Sequence, residues 1–450
     1  MEIINTIKFS QLTNWSVQYT FQNSFNYSNN FPLLAIGSFL LRAKDVVLVK
    51  DGIQYKRLTI KSNNGGIVVR DKLDGSKIGT KQQYRVKSGQ FALSKIDARN
   101  GAFGVVPQSA DGAIITSNFW TYNVIYDIVN PFFLSLLTTT KSFINFAEKA
   151  SNGTTNRHYL QESIFLSQKV PIPSKSQQDV IVAKYNQTIA EAKTKEEQAS
   201  QLKNEIEQYL LSTLGIKQDT QEGNPHLEHL HITNYKQLSQ WGYDYLSWNG
   251  KSILESKLYP TVLLSKLMDV NPQTSFSSLD KDNDVSFVPM ECVSEVYGEL
   301  KERKVVKVSQ SKGFTKFQNG DLIWARITPC MQNGKSAIVN DLQNGFGCGS
   351  TEFHVLRNFS SEVMTEYVYC LLRTHYVLED AKRHFTGSAG QQRVPKSYLN
   401  NLAIPLPHID IQKEIVSHIL DMKSAIKFLK QQASDLRKKA LSDFENEIFE

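Results

Sequence analysis

The sequence has few cysteines and lacks a long apolar run. Stretches as apolar as 132–137 are far shorter than the roughly 20 residues that a membrane helix needs. Residues 1–10 lack the basic segment followed by an apolar stretch that marks a secretory signal. We therefore expect a cytoplasmic protein. The cysteines are widely spaced and form no CxxC pair, which predicts free thiols and no metal site, at Cys292, Cys330, Cys348 and Cys370.

Motifs for self-contained catalysis are also missing. There is no Walker A sequence, so a self-contained nucleotide-driven motor is excluded. Residues 130–133, Asn-Pro-Phe-Phe, lack the second proline of the adenine methyltransferase motif, and no glycine-rich cofactor loop precedes them. Pro131 is therefore predicted to be the first residue of a buried helix. His226, His229 and His231 lie in a polar linker, which we interpret as a connector and not as a metal site.

The charge is distributed unevenly along the chain. The 450 residues are 40% hydrophobic and 21% charged, which is typical of globular proteins, and the net charge of +7 permits a nucleic acid partner without requiring one. Residues 1–174 contain 19 Lys and Arg against 10 Asp and Glu, whereas residues 219–409 contain 19 against 20. The basic excess therefore lies in the first part of the chain.

The sequence is an internal duplication. The segment 12–19 resembles 238–245 at a shift of 226, and 87–96 resembles 318–327 at a shift of 231. The shift reaches 234 at Gln178 and Gln412 and never reverses, as expected for a repeated unit with small loop insertions. Each repeat is about 225 residues long, and the second begins near residue 235.

Each repeat begins with strand-like sequence and ends with a long helix. Turn residues separate short β-rich runs at 46–49, 67–69, 91–93, 285–288, 304–308 and 322–325. A Pro-x-Pro segment then precedes a helical pattern at 176–214 and again at 410–448. Each helix of roughly 39 residues would be about 58 Å long and would need a partner for its apolar stripe.

The apolar stripes predict that the two helices pack on each other as a coiled coil. In the second helix the stripe steps alternately by 4 and 3 residues for nearly four heptads. We expect antiparallel packing. The predicted seam residues are Ile181, Tyr185, Ile189, Ala192, Ala199, Leu202, Ile206, Leu210, Ile415, Ile419, Met422, Ile426, Leu429, Ala433, Leu436 and Ala440.

The predicted fold is α+β: two β-rich α/β domains separated by two long helices that form an antiparallel coiled coil, as a tandem pseudo-symmetric duplication. The predicted segments are a first domain, a helix, a linker, a second domain and a second helix, at 1–174, 175–218, 219–234, 235–408 and 409–450.

This organisation resembles the specificity (S) subunit of type I restriction–modification systems over essentially the whole chain. Three motifs carry the resemblance: the glycine-led strand and loop 319–335, the glycine- and glutamine-rich loop 387–395, and the Pro-Leu-Pro entry into the second helix at 404–415. The first copy departs from the second motif, because residues 153–159 contain no such glycine and glutamine cluster.

The resemblance implies a DNA-binding subunit without catalysis of its own. Each domain would be a target-recognition domain that reads one half of a split, asymmetric sequence. The helices would space the halves and dock two methyltransferase (M) subunits, with motor/endonuclease (R) subunits completing the complex. S-adenosylmethionine, ATP and Mg would be bound by those partners, and no cofactor by this chain.

Base contacts in the major groove require Arg, Lys, Asn or Gln on loops between strands, and phosphate contacts require Lys, Ser or Thr. We predict DNA contacts from loops in both copies, at Lys95, Arg99, Asn100, Arg157, His158, Tyr159, Arg326, Thr328, Gln332, Asn333, Lys335, Gln391, Gln392 and Arg393.

Two other functions remain open at this point. The first is a coiled-coil interaction scaffold whose two β-rich domains bind peptides or proteins instead of DNA. The second is a methyltransferase in its own right, for which binding of S-adenosylmethionine by the isolated chain would be the sign.

Overall fold

The protein is described by a computed structural model over residues 30–152, 158–216, 253–296, 298–302, 304–388 and 390–449. The chain forms two compact units. Unit 1 is Met1–Lys195 with Gln431–Glu450, and unit 2 is Glu196–Lys430. Some sequence features lie outside the described residues: the repeat segments 12–19 and 238–245, the linker 219–234 with its histidines, and Arg157.

The strands of unit 1 are β1 (Leu33–Ala35), β2 (Leu40–Ala43), β3 (Asp45–Leu48), β4 (Gln54–Ile60), β5 (Ile67–Asp74), β6 (Gln82–Arg85), β7 (Phe91–Ser94), β8 (Phe103–Val105), β9 (Ile114–Ile115), β10 (Phe119–Val124), β11 (Ser151–Asn152), β12 (Tyr159–Leu160) and β13 (Lys169–Pro171). They form one sheet of order β2-β10-β7-β8, a second of order β3-β6-β9-β4-β5, and the pairs β1-β13 and β11-β12. The helices are α1 (Pro131–Thr139), α2 (Lys141–Lys149), α3 (Glu162–Ser167) and the long α4 (Lys175–Thr213), which continues into unit 2.

The strands of unit 2 are β14 (Thr261–Leu263), β15 (Met268–Val270), β16 (Asp284–Val288), β17 (Lys304–Lys307), β18 (Thr315–Gln318), β19 (Leu322–Ala325), β20 (Ser336–Ile338), β21 (Phe346–Gly349), β22 (Phe353–Asn358) and β23 (Ala403–Pro405). They form sheets of order β15-β22-β19-β20 and β17-β16-β21-β18, and the pair β14-β23. The helices are α5 (Thr365–Leu372), α6 (His375–Arg383), α7 (Lys396–Asn401) and the long α8 (Ile409–Phe449), which ends in unit 1.

The two units repeat one topology, which confirms the predicted duplication. The sheet β15-β22-β19-β20 has the strand order of β2-β10-β7-β8, and β18-β21-β16-β17 has that of β6-β9-β4-β5. Each second sheet also contains one parallel pair, β4 with β9 and β16 with β21. Among the described residues of unit 2, no strand corresponds to β3, which lies at the edge of its sheet in unit 1.

The central strands are apolar on both faces because each lies between two cores. In β19, Leu322 and Trp324 belong to one cluster of buried side chains and Ile323 belongs to another. In β7, Phe91 and Leu93 face one cluster and Ala92 faces the other. Side chains alternate across a strand, so a strand that is covered on both sides must be apolar at every position. This explains the continuous apolar runs in the sequence.

The long helices end within one residue of the predicted positions and pair in opposite directions, as predicted. In unit 1, Ile181 near the start of α4 shares a core with Ile448 at the end of α8. In unit 2, Leu210 near the end of α4 shares a core with Ile415 near the start of α8. None of the sixteen predicted seam residues is exposed. Gly215 follows α4 with a φ of 62°, the left-handed conformation that commonly ends a helix.

A buried glutamine anchors the start of each long helix. The Gln178 amide donates to Ile128 O at 3.0 Å and to Pro173 O at 2.8 Å, and its oxygen accepts from Asn130 N at 2.7 Å. We call this the helix-start glutamine. Asn130 in turn caps α1, whose first residue is Pro131, which confirms the predicted helix start.

Gln412 makes the same three contacts in the second copy. Its amide donates to Glu362 O and Pro407 O, both at 2.8 Å, and its oxygen accepts from Met364 N at 2.9 Å. Both glutamine side chains are fully buried. These two glutamines, which the sequence repeats at a shift of 234, are therefore a structural connection between each helix and its domain.

Candidate nucleic-acid interface

The predicted contact loops follow the central strands β7 and β19, and both copies hold them by the same backbone hydrogen bonds. In unit 1, Lys95 N donates to Asn118 O at 2.9 Å and Leu160 N donates to Lys95 O at 2.9 Å. In unit 2, Arg326 N donates to Glu352 O at 2.9 Å and Val394 N donates to Arg326 O at 2.8 Å. Each copy thus brings together two loops that are more than sixty residues apart in sequence.

In unit 1 the structure brings Lys95 and Tyr159 together. The Lys95 ammonium lies 5.8 Å from the centre of the Tyr159 ring, within reach of a cation–π interaction. His158 precedes Tyr159 and is half-buried, as are both of those side chains. An amine on an aromatic platform can present hydrogen-bond donors while its stem stays packed.

Arg99 and Asn100 lie in a short 3-10 turn, Ala98–Asn100, on the same loop. Asn63 N donates to Asn100 O at 2.6 Å, which connects this turn to the β4–β5 hairpin. Gly101 ends the turn with a φ of 74°, and a Cβ there would lie 2.4 Å from Asn64 Oδ1. Glycine is therefore favoured at this position by the left-handed backbone, and a larger side chain would also have to displace Asn64.

In unit 2 a carboxylate holds the two arginines of the predicted set. Arg393 donates to Glu352 through Nε at 2.9 Å and Nη2 at 2.7 Å, and Arg326 Nε lies 3.6 Å from the same carboxylate. The Arg393 hydrogen bonds lower the pKa of Glu352 below its usual range, so the carboxylate stays ionised. Lys95 and Tyr159 of unit 1 correspond to Arg326 and Arg393 in this frame.

The other predicted residues of unit 2 differ in how far they are free to contact a ligand. Lys335 is turned inward: its side chain is 12% exposed, it donates to Met290 O at 3.3 Å, and it pairs with Glu295 at 3.5 Å. Thr328 hydrogen-bonds through its hydroxyl to Gln332 and through its backbone to Gln392 O at 3.0 Å. The exposed members of the set are Asn333 and Gln391.

A polar cleft of about 320 Å³ lies beside Arg326 in unit 2. Residues from several strands line it, including Asn271, Thr274, Phe314, Lys316, Arg326 and Thr351. Only Arg326 among these was predicted from the sequence. The others are distant in sequence and belong to no motif, so only the folded chain brings them together.

A buried histidine supports the loop behind Arg326. His354 stacks on Trp324 with 6.4 Å between ring centres, and its Nε2 lies 2.9 Å from Val394 O. Burial lowers the pKa of His354 to about 4, so the ring is neutral at pH 7 and Nε2 carries the proton donated to that carbonyl. His354 is thus a structural residue of the frame, which sequence reasoning missed.

Within the described residues, no helix is both long enough and apolar enough to cross a membrane. The described part of the chain also contains no group of three or more His, Cys, Asp or Glu side chains placed to hold a metal ion. All four cysteines are free: Cys292 and Cys348 are buried, and Cys330 and Cys370 are half-buried.

The comparisons with known proteins agree with the duplicated fold. The family model of the type I restriction modification DNA specificity domain matches the chain twice, at residues 41–208 and 261–437. A chain from a solved structure of a type I restriction–modification system has a TM-score of 0.57 at 15% identity, covering 94% of this chain and 98% of its own length. At that identity the likeness concerns the fold alone.

Two curated relatives from Escherichia coli match part of the chain. The specificity subunit of the type I restriction enzyme EcoAI is 37% identical over 175 residues, and that of EcoEI is 35% identical over 173. Each match covers 38% of this chain and 29% of the relative's length. The two matches to the family model together span most of the chain, so the protein belongs to the type I restriction–modification DNA specificity family.

Proposed function

We propose that this chain is the sequence-specific DNA-binding subunit of a type I restriction–modification complex, with one target-recognition domain in each copy. The observation that carries this proposal is the pair of matching loop frames, at Lys95 and Arg326, within two matches to a DNA specificity family. Two copies of one frame with different side chains suit the reading of two different half-sites.

The assignment of DNA contacts to the two units follows from the chemistry of the loops. Arg, Lys, Asn and Gln on rigidly held loops can reach base edges in the major groove, and nearby Lys, Ser and Thr can hold the phosphates. In this proposal the predicted residues of unit 1 contact one half-site, and those of unit 2, apart from the inward-turned Lys335, contact the other. The target is therefore bipartite and asymmetric.

The long helices take two roles in the proposal. A helix adds a fixed 1.5 Å per residue, so paired helices of about 40 residues can set the gap between the half-sites. They also dock two methyltransferase subunits, and motor/endonuclease subunits complete the complex in the cytoplasm. The names of the two E. coli relatives, specificity subunits of type I restriction enzymes, support such partners.

We assign the chemistry to the partners. In this proposal S-adenosylmethionine, ATP and Mg are bound by the methyltransferase and motor subunits, and this chain supplies recognition only. Isothermal titration of the full chain with S-adenosylmethionine is expected to give no saturable heat. Binding with a 1:1 stoichiometry would contradict this assignment.

The test of the DNA-reading function is selection from a pool of random-sequence duplexes. The full chain is mixed with a methyltransferase subunit of the same system, and bound or methylated duplexes are sequenced. We expect enrichment of two short, unlike sequences separated by a gap of constant length. A pool that stays random would contradict the proposal and favour an interaction scaffold.

A further inference from the structure

Lys316 is unusual among the strand-borne cations of unit 2. Lys304 and Lys307 on β17 pair with Glu291 and Asp284, and Arg357 pairs with Asp321. Lys316 on β18 instead lies over the Phe276 ring, 4.6 Å from its centre. In the part of the chain that the structure describes, it forms no ion pair with a carboxylate. Its charge therefore remains available to an anion from outside.

Lys316 and Arg326 line the same polar cleft of about 320 Å³. Arg326 has a buried Nε without a hydrogen-bond partner among the described residues, because the Glu352 carboxylate is 3.6 Å away. Thr274 and Thr351, whose side chains carry hydroxyls, also line the cleft. Two cations and two hydroxyl donors around one space are the chemistry that binds a phosphate.

The cleft is held in shape by buried polar contacts. Asp321, which is fully buried, accepts from Arg357 at 2.8 and 2.7 Å, and Arg357 Nη2 donates to the Thr274 hydroxyl at 2.9 Å. Since that hydroxyl oxygen accepts from Arg357, its own hydrogen is free to point elsewhere. Asn271, which also lines the cleft, accepts from Val355 N through Oδ1 at 3.0 Å. Two residues that line the cleft, Thr274 and Asn271, are thus held by hydrogen bonds before a ligand arrives.

We infer that this cleft binds one backbone phosphate of the DNA duplex, with Lys316 and Arg326 as its countercharges. The inference rests on the proposed DNA-binding function and makes it more specific. Arg326 becomes a phosphate contact that sets the register of unit 2 on the duplex, and it does not read a base. In unit 1 the residue in register with Lys316 is Arg85, which is also a cation and is exposed.

The inference explains how a domain without excess positive charge can hold DNA. Residues 219–409 carry 19 Lys and Arg against 20 Asp and Glu. Such a domain cannot rely on a diffuse basic surface, because its acidic residues balance its basic residues in number. A cleft lined by two cations provides the phosphate contact locally.

The test uses Lys316→Ala in the full chain, with Lys312→Ala as the matched control. Lys312 is exposed, lies four residues away and does not line the cleft. Binding is measured by fluorescence anisotropy on a target duplex and on an unrelated duplex between 50 and 200 mM salt. We expect Lys316→Ala to weaken binding to both duplexes by the same factor and to reduce the slope of log K against log salt by about 1.

Arg326→Ala is expected to give the same uniform loss and reduced slope. Thr351→Val removes one donor on an exposed residue with little change of shape, so it should weaken both duplexes equally without changing the salt slope. Loss confined to the target duplex would overturn the inference and make Arg326 a base contact. So would a Lys316→Ala chain that behaves like the Lys312→Ala control.

Two further outcomes distinguish failure of the inference from failure of the proposed function. If the wild-type chain binds neither duplex, the proposed function itself fails, and the inference with it. If the wild type binds and only the cleft variants are without effect, the inference alone is overturned. Titration of the full chain with inorganic phosphate tests whether the ligand is a free phosphate instead of a phosphate of the DNA backbone. We expect no saturable binding below millimolar concentration. Submillimolar binding that Lys316→Ala removes would contradict a DNA ligand.

Discussion

The two copies share a backbone frame and differ in the charges mounted on it. At one equivalent position Gln90 in unit 1 donates to Asn123 at 2.8 Å, whereas Asp321 in unit 2 accepts from Arg357 at 2.8 and 2.7 Å. Both Gln90 and Asp321 also accept from a backbone N–H three residues earlier. A neutral amide pair and a buried ion pair thus perform one structural task, which shows that the frame tolerates exchange of charge.

The recognition loops differ in the same way. Lys95 of unit 1 lies over the Tyr159 ring, and its equivalent in unit 2, Arg326, lies with Arg393 beside Glu352. The backbone hydrogen bonds around both are the same. The two loops thus share one backbone geometry and carry different side chains, which in the proposed function suits two different half-sites.

The largest effect is expected where the copies are alike, at the helix-start glutamines. Gln412→Ala and Gln178→Ala each leave one N–H and two carbonyl oxygens, which are buried or partly buried, without the glutamine as a partner, at about 1–3 kcal/mol per group. We expect a loss of roughly 3–5 kcal/mol in the free energy of unfolding, similar in the two copies. Gln187→Ala, at an exposed position of α4, is the control.

Chemical denaturation followed by circular dichroism gives the comparison. The Gln187→Ala chain should unfold like the wild type, because alanine is at least as good a helix former. A large loss in the free energy of unfolding for one glutamine variant, with a negligible loss for the other, would contradict the structural equivalence of the units.

The next effect tests the exchange of charge directly. Asp321→Gln leaves Arg357 partly buried beside a neutral amide, and breaking such a pair costs about 3 kcal/mol. Adding Arg357→Asn installs the pair that unit 1 uses, so the double variant should recover most of that loss. A double-mutant cycle measured by urea unfolding checks this. Independent, additive losses would contradict the equivalence of the two pairs.

A smaller effect is expected on the pH dependence of stability, and in unit 2 it comes from His354. Its pKa is about 4 when folded, against about 6.5 for an unfolded histidine, so the unfolded chain binds the extra proton. The contribution of the neutral His354 ring to the free energy of unfolding is fully present above pH 6.5 and is lost as the pH falls toward 4. Between pH 7 and 5 the loss should be roughly 2 kcal/mol.

His354→Gln is expected to remove that part of the pH dependence while keeping an amide that can donate to Val394 O. Unit 1 has Trp120 at the equivalent position and is expected to lack this dependence. The measurement is the midpoint of thermal unfolding against pH. An unchanged slope in the variant would show that another group titrates.

The smallest expected change in free energy concerns DNA binding at a single half-site. Lys95→Ala should cost about 1–2 kcal/mol of affinity if this side chain contacts a base, and only when the half-site read by unit 1 is present. Competition between duplexes that differ in one half-site measures it. An equal loss on unrelated DNA would mark Lys95 as a phosphate contact and remove the contrast that we draw with Arg326.

The sequence predicted the architecture better than the chemistry of the site. Repetition located the two copies, apolar stripes located α4 and α8, and continuous apolar runs such as 322–325 located the central strands, because each of these leaves a pattern along the sequence. Partners that are distant in sequence leave none. Nothing local indicates that Glu352 holds Arg393, that Lys335 turns inward, or that Lys316 and Thr274 share a cleft.

The central claim is that each copy reads its own half of a split target. Its most direct test is sequencing of methylated DNA from cells that carry this chain and a methyltransferase subunit, with wild-type protein and with the unit 1 loop residues Lys95, Arg99 and Asn100 replaced by alanine. We predict a bipartite, asymmetric methylated motif of constant gap, in which the substitutions relax one half and leave the other intact. Loss of specificity in both halves together, or a single continuous motif, would contradict the account.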